Sequence, residues 1–270
     1  MSVESHTVRH EGARFPVDIV SALRVWQRNL WVYRDRWFYG LLPNFFEPVF
    51  YLLGMGVGLG YYVTTGGEFG QGYLAYIAPG LVAASAMNGA SFETTYNVFV
   101  KMHFGKYYDA VVTTRVNMED AAVGELLWAV TRSLIYGGIF LLITLFFDSP
   151  VTWRLVPAVG ALALVGFCFA AIGLAFTSVI DIIDVYSYYF TLFITPSFLF
   201  SGIFFPVEER FPDALVALAQ VTPLYRAVHL VRGTVNGVGE NLWLDVVYLL
   251  AVGVVLSAFA VWRMRKRVIR

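Results

Sequence analysis

Three ionisable side chains lie within segments that are otherwise apolar: Glu47, Glu93 and Arg132. Charged groups are costly in hydrocarbon, so each is a candidate for a functional role. At the rise of an α-helix, all three lie roughly 10–14 Å from the same side. We therefore expect an intramembrane charge network in which Arg132 pairs with Glu93, Glu47 or both. Such pairing either holds helices together or forms part of a substrate path or proton relay.

A second chemical candidate is the carboxylate pair Asp181 and Asp184. Paired carboxylates could hold Mg²⁺, as in membrane enzymes that act on diphosphates. Solvated residues of a short turn are the alternative interpretation. Gly105-Lys106 begins like a phosphate-binding loop, but Tyr107 replaces the required Ser or Thr. The histidines are scattered and Cys168 is the single cysteine, so we predict no metal site or disulfide framework elsewhere.

The composition predicts an integral membrane protein. The 270 residues are 58% hydrophobic and 14% charged, whereas about 25% of residues are charged in soluble domains. The 19 Lys and Arg equal the 19 Asp and Glu, so net charge indicates neither a nucleic-acid partner nor an acidic one. Residues 1–37 contain arginines but no apolar core, so we expect no cleavable signal peptide.

The elements that must position these residues are membrane helices. A bilayer core of about 30 Å needs about 20 helical residues, and we predict an all-α fold with six spans. They cover about 38–62, 74–99, 123–147, 154–180, 185–205 and 243–262.

The distribution of positive charge predicts the orientation. Six Lys and Arg lie in residues 1–37, three in the loop after span two and five in the tail 263–270, while four lie on the opposite side. Positive loops stay in the cytoplasm. We therefore expect both termini, and the loop after span two, to be cytoplasmic.

Two shorter amphiphilic regions flank the spans. Before span one, Leu23, Trp26, Leu30, Tyr33 and Trp37 recur at helical spacing, which favours a helix lying in the headgroup plane over one packed on its own protein. Before span six, about 207–233 contains two apolar pieces that start at Pro212 and at Thr222-Pro223, with Gly233 closing the second. Both pieces are too short to cross the bilayer, so we predict a re-entrant pair that caps an exit path or forms a surface hairpin.

The order of these features, together with four phrases of sequence, resembles the permease subunit of ABC-2 type exporters. The phrases are "YLAYIAPGLVAASAMNGASFETTY", "YDAVVTTRVNMEDAAVGELLWA", "ITPSFLFSGIFFPVEERFP" and "TPLYRAVHLVRG". They resemble the nodulation-protein J branch, whose members export lipo-oligosaccharides, with daunorubicin-type drug permeases as relatives. The resemblance implies that 38–262 is the transmembrane domain, between a cytoplasmic segment 1–37 and a basic tail 263–270.

The resemblance also implies partners. A coupling helix in the loop after span two, here about 104–114, would dock on a separate ATPase present in two copies, which binds the ATP and Mg²⁺. A second permease copy would complete the path, and this chain would bind no cofactor. The implied ATPase contacts are Lys106, Tyr107, Tyr108, Asp109 and Thr113. The loop departs from the family pattern, because "TTRVN" at 113–117 lacks the usual proline.

The implied function is outward movement of an amphiphile, such as a lipo-oligosaccharide, a lipid-linked glycan or a hydrophobic drug, across the bacterial cytoplasmic membrane. Aromatic rings stack on sugars and acyl chains, and the same rings could equally be lipid-facing packing. The candidate path residues are Phe45, Phe46, Phe92, Tyr96, Phe193 and Phe198. Two alternatives remain open: an ion-coupled transporter or channel using Glu47, Glu93 and Arg132, and a membrane enzyme with metal at Asp181 and Asp184.

Overall fold

The computed structural model describes residues 17–35, 37–59, 72–105, 107–111, 113–114, 116–144, 155–237 and 241–268, and all regular structure within them is helical. The α-helices are α1 (Ile19–Asp35), α2 (Trp37–Tyr51), α3 (Tyr73–Phe92), α4 (Val98–His103), α5 (Tyr107–Val111), α6 (Met118–Thr144), α7 (Leu155–Val179), α8 (Val185–Tyr188), α9 (Thr195–Leu199), α10 (Val207–Arg210), α11 (Asp213–Val221), α12 (Pro223–Asn236) and α13 (Leu242–Val268). This confirms the predicted all-α class.

Three π-helical segments interrupt the α-helical geometry without ending the helix. Leu52–Leu59 continues α2, Glu93–Asn97 joins α3 to α4, and Tyr189–Ile194 joins α8 to α9. Segments of this kind are rare and occur often at functional sites. They lie in the runs predicted as spans one, two and five.

Among the described residues, three helices are long and apolar enough to cross a membrane: Met118–Thr144, Val156–Val179 and Leu242–Lys266. The pair Asp213–Val221 and Pro223–Asn236, bent by 81°, would be a fourth if it were counted as one span. The multi-pass character is thereby supported. The six-span topology, the positions of the termini and the re-entrant path stay predictions.

Small residues bring the central helices α3, α6 and α7 close together. A Cβ added at Gly166 would lie 2.5 Å from the Ser133 Cβ, and one at Gly173 would lie 2.2 Å from the Thr94 Oγ1. The Thr177 hydroxyl donates to the Thr94 carbonyl at 2.8 Å. Without a hydrophobic force between helices in lipid, close packing of small side chains and hydrogen bonds holds them together.

Helix α1 packs along α6 mainly through small residues. Its buried residues are Ser21, Ala22, Val25 and Asn29. Leu23, on the apolar face predicted to meet the headgroups, is 47% exposed, and Trp37, at the start of α2, is 53% exposed. A helix resting on its own protein is therefore what the structure contains, while contact of its exposed side with the headgroup plane stays a prediction.

The start of α6 is capped by an acidic residue of its first turn. The Asp120 carboxylate accepts the backbone N–H of Asn117 at 3.1 Å, as the third helical residue does in a capping box. The other Asp120 oxygen accepts the N–H of Asp18 at 2.8 Å. One buried carboxylate therefore fixes the starts of both α1 and α6.

At the opposite end of the bundle, α12 docks on its neighbours through polar contacts. Thr222 caps α12 as predicted, accepting from the Tyr225 N–H, but the helix continues past Gly233 to Asn236, where Gly237 adopts the left-handed conformation with φ 71°. Asp245 of α13 is buried and contacts Arg226 at 3.2 Å and His229 at 2.6 Å. The region is therefore held to α13 through a compensated carboxylate.

Candidate functional site

The structure brings Glu93 and Arg132 together and leaves Glu47 apart from them. Arg132 Nε lies 3.5 Å from Glu93 Oε2, and the Glu93 side chain is 6% exposed. The guanidinium also lies over the Tyr33 ring at 4.4 Å and donates to the Tyr136 hydroxyl at 2.9 Å. A cation held between two rings and a carboxylate is well compensated in an apolar setting.

A second ion pair extends this cluster toward α5. Lys101 Nζ lies 3.6 Å from Glu93 Oε1 and 2.7 Å from Glu125 Oε2. Glu125 is fully buried and also accepts the Asn29 side-chain amide at 3.0 Å. Two carboxylates and two cations therefore form one neutral group, which we call the ion network: Glu93, Lys101, Glu125 and Arg132.

The ion network contacts the predicted coupling segment directly. The Tyr108 hydroxyl donates to Glu125 Oε1 at 3.3 Å, and the Tyr108 side chain is 1% exposed. Burial, and next the Glu125 carboxylate, raise the pKa of Tyr108 well above its usual value. The hydroxyl therefore keeps its proton and donates.

Within the predicted coupling segment 104–114, the described helix α5 covers Tyr107–Val111. The Tyr107 ring lies 3.9 Å from the Arg28 guanidinium and is half-buried. Thr113 is exposed, as are Phe104 and Ala110. Lys106 and the side chain of Asp109 lie outside the described residues. Tyr108 faces inward, so other residues form the exposed surface of this segment.

Lys101, Glu125 and Asn29 were not among the predicted network residues. A spacing signal was available, since Glu93 and Lys101 are eight residues apart and Glu125 and Arg132 are seven apart. Both separations are about two helical turns, which places each pair on one face of its helix. Asn29 carried no such signal, because its role arises only from the packing of α1 on α6.

The predicted path aromatics divide into separate groups. Phe92 and Tyr96 stack with Phe190, at ring-centroid distances of 4.5 Å and 5.7 Å. Phe193 contacts Tyr189 instead. Phe46 stacks on Phe50, and Phe198 packs edge-on to Tyr51 at 6.4 Å. The side chain of Phe45 lies outside the described residues. Phe92, Tyr96 and Phe193 therefore lie within or next to the π-helical segments Glu93–Asn97 and Tyr189–Ile194. Phe46 and Phe198 contact aromatic rings at the end of α2.

Glu47 lines a cavity of about 340 Å³. Residues of α2, α3, α6 and the span that ends in α9 surround it. The polar and aromatic members of the lining are Glu47, Tyr51, Ser85, Asn88, Thr195, Phe140 and Phe198. Asn88 precedes Gly89, where an added Cβ would lie 3.0 Å from the Arg132 carbonyl. The cavity and the ion network therefore border the same crossing of α3 and α6.

The structure offers no ligand set for the metal interpretation of Asp181 and Asp184. Both residues are exposed, and Asp181 lies 4.0 Å from His103 Nε2. No three His, Cys, Asp or Glu side chains converge within the part of the chain that the structure describes.

Comparison with known proteins identifies the class of this helical bundle. Residues 21–236 match the family described as ABC-2 type transporter. The chain belongs to the ABC-2 type transporter family. This confirms the resemblance and means that the chain is a membrane-embedded transport permease rather than an enzyme.

Its relatives include several proteins called nodulation protein J. The one from Rhizobium leguminosarum bv. viciae is 33% identical over 225 residues, covering 83% of this chain and 86% of the relative. The one from Bradyrhizobium diazoefficiens is 30% identical over 256 residues, covering 94% and 97%. The one from Azorhizobium caulinodans is 27% identical over 237 residues, covering 85% and 91%. The similarity therefore spans most of the chain, including the ion network and the cavity.

Proposed function

We propose that this ABC-2 permease exports an amphiphile across a bacterial cytoplasmic membrane, driven by a separate ATPase that docks on residues 104–114. Two ATPase copies bind the ATP and Mg²⁺, two permease copies form the path, and this chain binds no nucleotide. The likeness to nodulation protein J supports a lipo-oligosaccharide or a lipid-linked glycan as cargo, and a hydrophobic drug has similar chemistry.

The observation that carries the proposal is the hydrogen bond from Tyr108 to Glu125. It joins the short helix α5 to a buried carboxylate of α6, and Lys101 joins the same carboxylate to Glu93. A force applied to α5 by a partner would be absorbed if α5 were loosely attached. Because the attachment is buried and charge-assisted, movement of α5 is passed to spans two and three.

In this arrangement the residues of the coupling segment have two different tasks. Tyr108 is a positioning residue, because its side chain is inside the protein. Thr113 and Ala110 are exposed and face a partner, together with Phe104, which is 71% exposed. Lys106, Tyr107 and Asp109 complete the proposed docking surface.

The ion-coupled alternative is less well supported. An ion path needs a charged group that can gain or lose its counter-ion. In the ion network each carboxylate has a cation within 3.6 Å and the total charge is zero. For Glu93 and Arg132, a structural and force-transmitting role fits this compensation better than a relay, while Glu47, the third residue of that alternative, lines the cavity instead.

The test separates docking from transmission. The full chain is purified with its bound ATPase and reconstituted in liposomes. Thr113→Glu with Ala110→Glu is expected to remove most of the bound ATPase. Tyr108→Phe is expected to retain the ATPase but to lower transport per ATP hydrolysed about 5-fold, the worth of one hydrogen bond.

The matched control is Tyr188→Phe, which removes the hydroxyl of an exposed tyrosine outside the coupling segment and the ion network and should change neither quantity by more than about 2-fold. Transport that continues without ATP would refute the proposal and favour the ion-coupled alternative. Full ATPase retention by the Thr113 and Ala110 variant would place the docking surface elsewhere.

A further inference from the structure

The cavity beside α2 contains a carboxylate that is not matched by a cation. Glu47 forms no ion pair or hydrogen bond with any other residue that the structure describes. In contrast, Glu93, Glu125 and Asp245 each lie within 3.6 Å of a basic side chain. A carboxylate at the edge of a mostly apolar cavity attracts a counter-charge, because the apolar walls screen it poorly. Glu47 therefore differs from Glu93, Glu125 and Asp245, whose counter-charges are supplied by the protein.

The remaining walls favour a donor with positive charge. Ser85 and Asn88 are three residues apart on one face of α3 and both line the cavity. The Thr195 hydroxyl already donates to the Phe190 carbonyl at 3.0 Å, so it offers the cavity only its lone pairs. No Lys, Arg or His is among the described residues that line the cavity. This part of the lining thus presents one negative charge, the lone pairs of Thr195, and the Ser85 hydroxyl and Asn88 amide, which can both donate and accept.

Two aromatic rings strengthen this preference. Tyr51 and Phe198 line the cavity and pack edge-on to each other, with centroids 6.4 Å apart. Ring faces attract an ammonium group within about 6 Å. A carboxylate combined with rings recognises an organic cation, and it repels a phosphate or a carboxylate.

The size and exposure indicate which part of a molecule enters. A volume of about 340 Å³ is at the small end of ligand pockets, enough for a head group but not for a long acyl chain. Glu47 is exposed as well as lining the cavity, which places it at an open edge. The exposed rings of Phe46 and Phe50 follow on the same helix and offer an apolar surface for a tail.

We propose that this cavity binds the amine-bearing head group of an amphiphile, with Glu47 as its counter-ion. The inference rests on the proposed export function, because it names the substrate class of the same path. It involves no ATPase, so it can be tested by binding alone.

The probe is radiolabelled dodecylamine, which is protonated at pH 7, added to the purified full chain in dodecyl maltoside. Saturable binding is expected. Unlabelled dodecylamine should compete, whereas dodecanol and dodecyl phosphate, which carry the same tail, should compete at least about 10-fold less well, as expected for loss of one charge-assisted pair.

The variants test the residues. Glu47→Gln, a neutral isostere, should weaken dodecylamine binding about 10-fold, and Glu209→Gln, an exposed carboxylate outside the cavity, should not. Phe198→Leu should weaken binding about 3-fold. Its control is Phe200→Leu on the neighbouring turn, which packs against Phe211 rather than the cavity and should bind as the unmodified chain does.

Equal binding by Glu47→Gln and the unmodified chain would overturn the inference, and it would indicate an uncharged head group. Equal competition by dodecyl phosphate would also overturn it. Either result leaves ATPase docking untouched, whereas loss of the proposed function would appear as ATP-independent transport with amine binding unchanged.

Discussion

Arg132 contacts groups of three kinds, and each compensates its charge differently. Glu93 supplies opposite charge at 3.5 Å, Tyr136 accepts a hydrogen bond, and the Tyr33 ring lies 4.4 Å from the guanidinium. The ion pair is longer than a good hydrogen bond, so much of its energy is electrostatic rather than directional. Removing Glu93 leaves Arg132 without a carboxylate partner, whereas removing Arg132 leaves Glu93 paired with Lys101 alone.

A double-mutant cycle at Glu93 and Arg132 tests this pairing. Glu93→Gln alone is expected to lower the free energy of unfolding by about 3 kcal/mol, because Arg132 loses its carboxylate partner. Arg132→Met alone is expected to lower it by about 2 kcal/mol, because Glu93 keeps Lys101. The double variant should cost at least about 1 kcal/mol less than the sum of the two singles. Thermal unfolding of the purified chain, followed by tryptophan fluorescence, measures each value.

Lys101 provides the internal control. Because Lys101 also lies near Glu93, the reversed pair Glu93→Arg with Arg132→Glu would place two cations together and should restore stability only in part. Strict additivity of the two neutral substitutions would show that the side chains do not interact.

The sequence alone was least informative about which individual residues form the ion network. Glu93 and Arg132 could be recognised because each stands alone in an apolar run. Lys101 looked like a loop residue and Glu125 like an acid near a helix start, so neither was included. Lys101 and Glu125 belong to the ion network because α1, α4 and α5 approach α6, and this approach depends on three-dimensional packing.

At the scale of elements, Gly124 decides how closely α1 can approach α6. An added Cβ would lie 2.7 Å from the Ala22 carbonyl oxygen and 2.7 Å from the Val25 Cβ. We expect Gly124→Ala to lower the free energy of unfolding by about 2 kcal/mol, because neither backbone nor a β-branched side chain can yield easily. Chemical denaturation of the purified chain measures this.

Gly138 on the same helix is the matched comparison. A Cβ there meets nothing within 4 Å, so Gly138→Ala should be neutral or stabilise by up to about 1 kcal/mol through helix propensity. A similar loss of stability in both variants would mean that the glycines act through the α6 backbone and not through the contact with α1.

The longest helices could be predicted from their apolar length, and the bounds of α6, α7 and α13 lie within about six residues of those of predicted spans three, four and six. Three features could not be predicted. The π-helical segments have no simple sequence signature, the face of α1 that packs on α6 consists mainly of small residues, and the position of the short helix α5 depends on the contacts of Tyr107 with Arg28 and of Tyr108 with Glu125.

At the scale of the whole molecule, contacts between distant segments sort the loops into two ends. Arg265 contacts Glu119 at 3.3 Å, which joins the end of α13 to the start of α6. His103 lies near Asp181, which joins the end of α4 to the turn before α8. At the other end, Arg232 donates to the Gly202 carbonyl at 2.8 Å. The sidedness derived from positive charge stays a prediction.

Cysteine labelling tests which end faces the cytoplasm. Thr113→Cys and Leu218→Cys place a thiol on exposed residues at opposite ends, and the native Cys168 is buried. In intact cells a membrane-impermeant maleimide should label Leu218→Cys and not Thr113→Cys, and inside-out vesicles should reverse the pattern. Labelling of Thr113→Cys from outside would contradict both the orientation and ATPase docking.

The π-helical segment Glu93–Asn97 lies between the cavity-lining part of α3 and Lys101. A wide turn holds one more residue than an ordinary turn, and each residue of an α-helix rotates the chain by about 100°. The extra residue therefore acts as a phase shift between the two halves of span two. Without it, Lys101 would point about a quarter-turn away from Glu125, so this helical run could face the cavity or the ion network correctly, but not both.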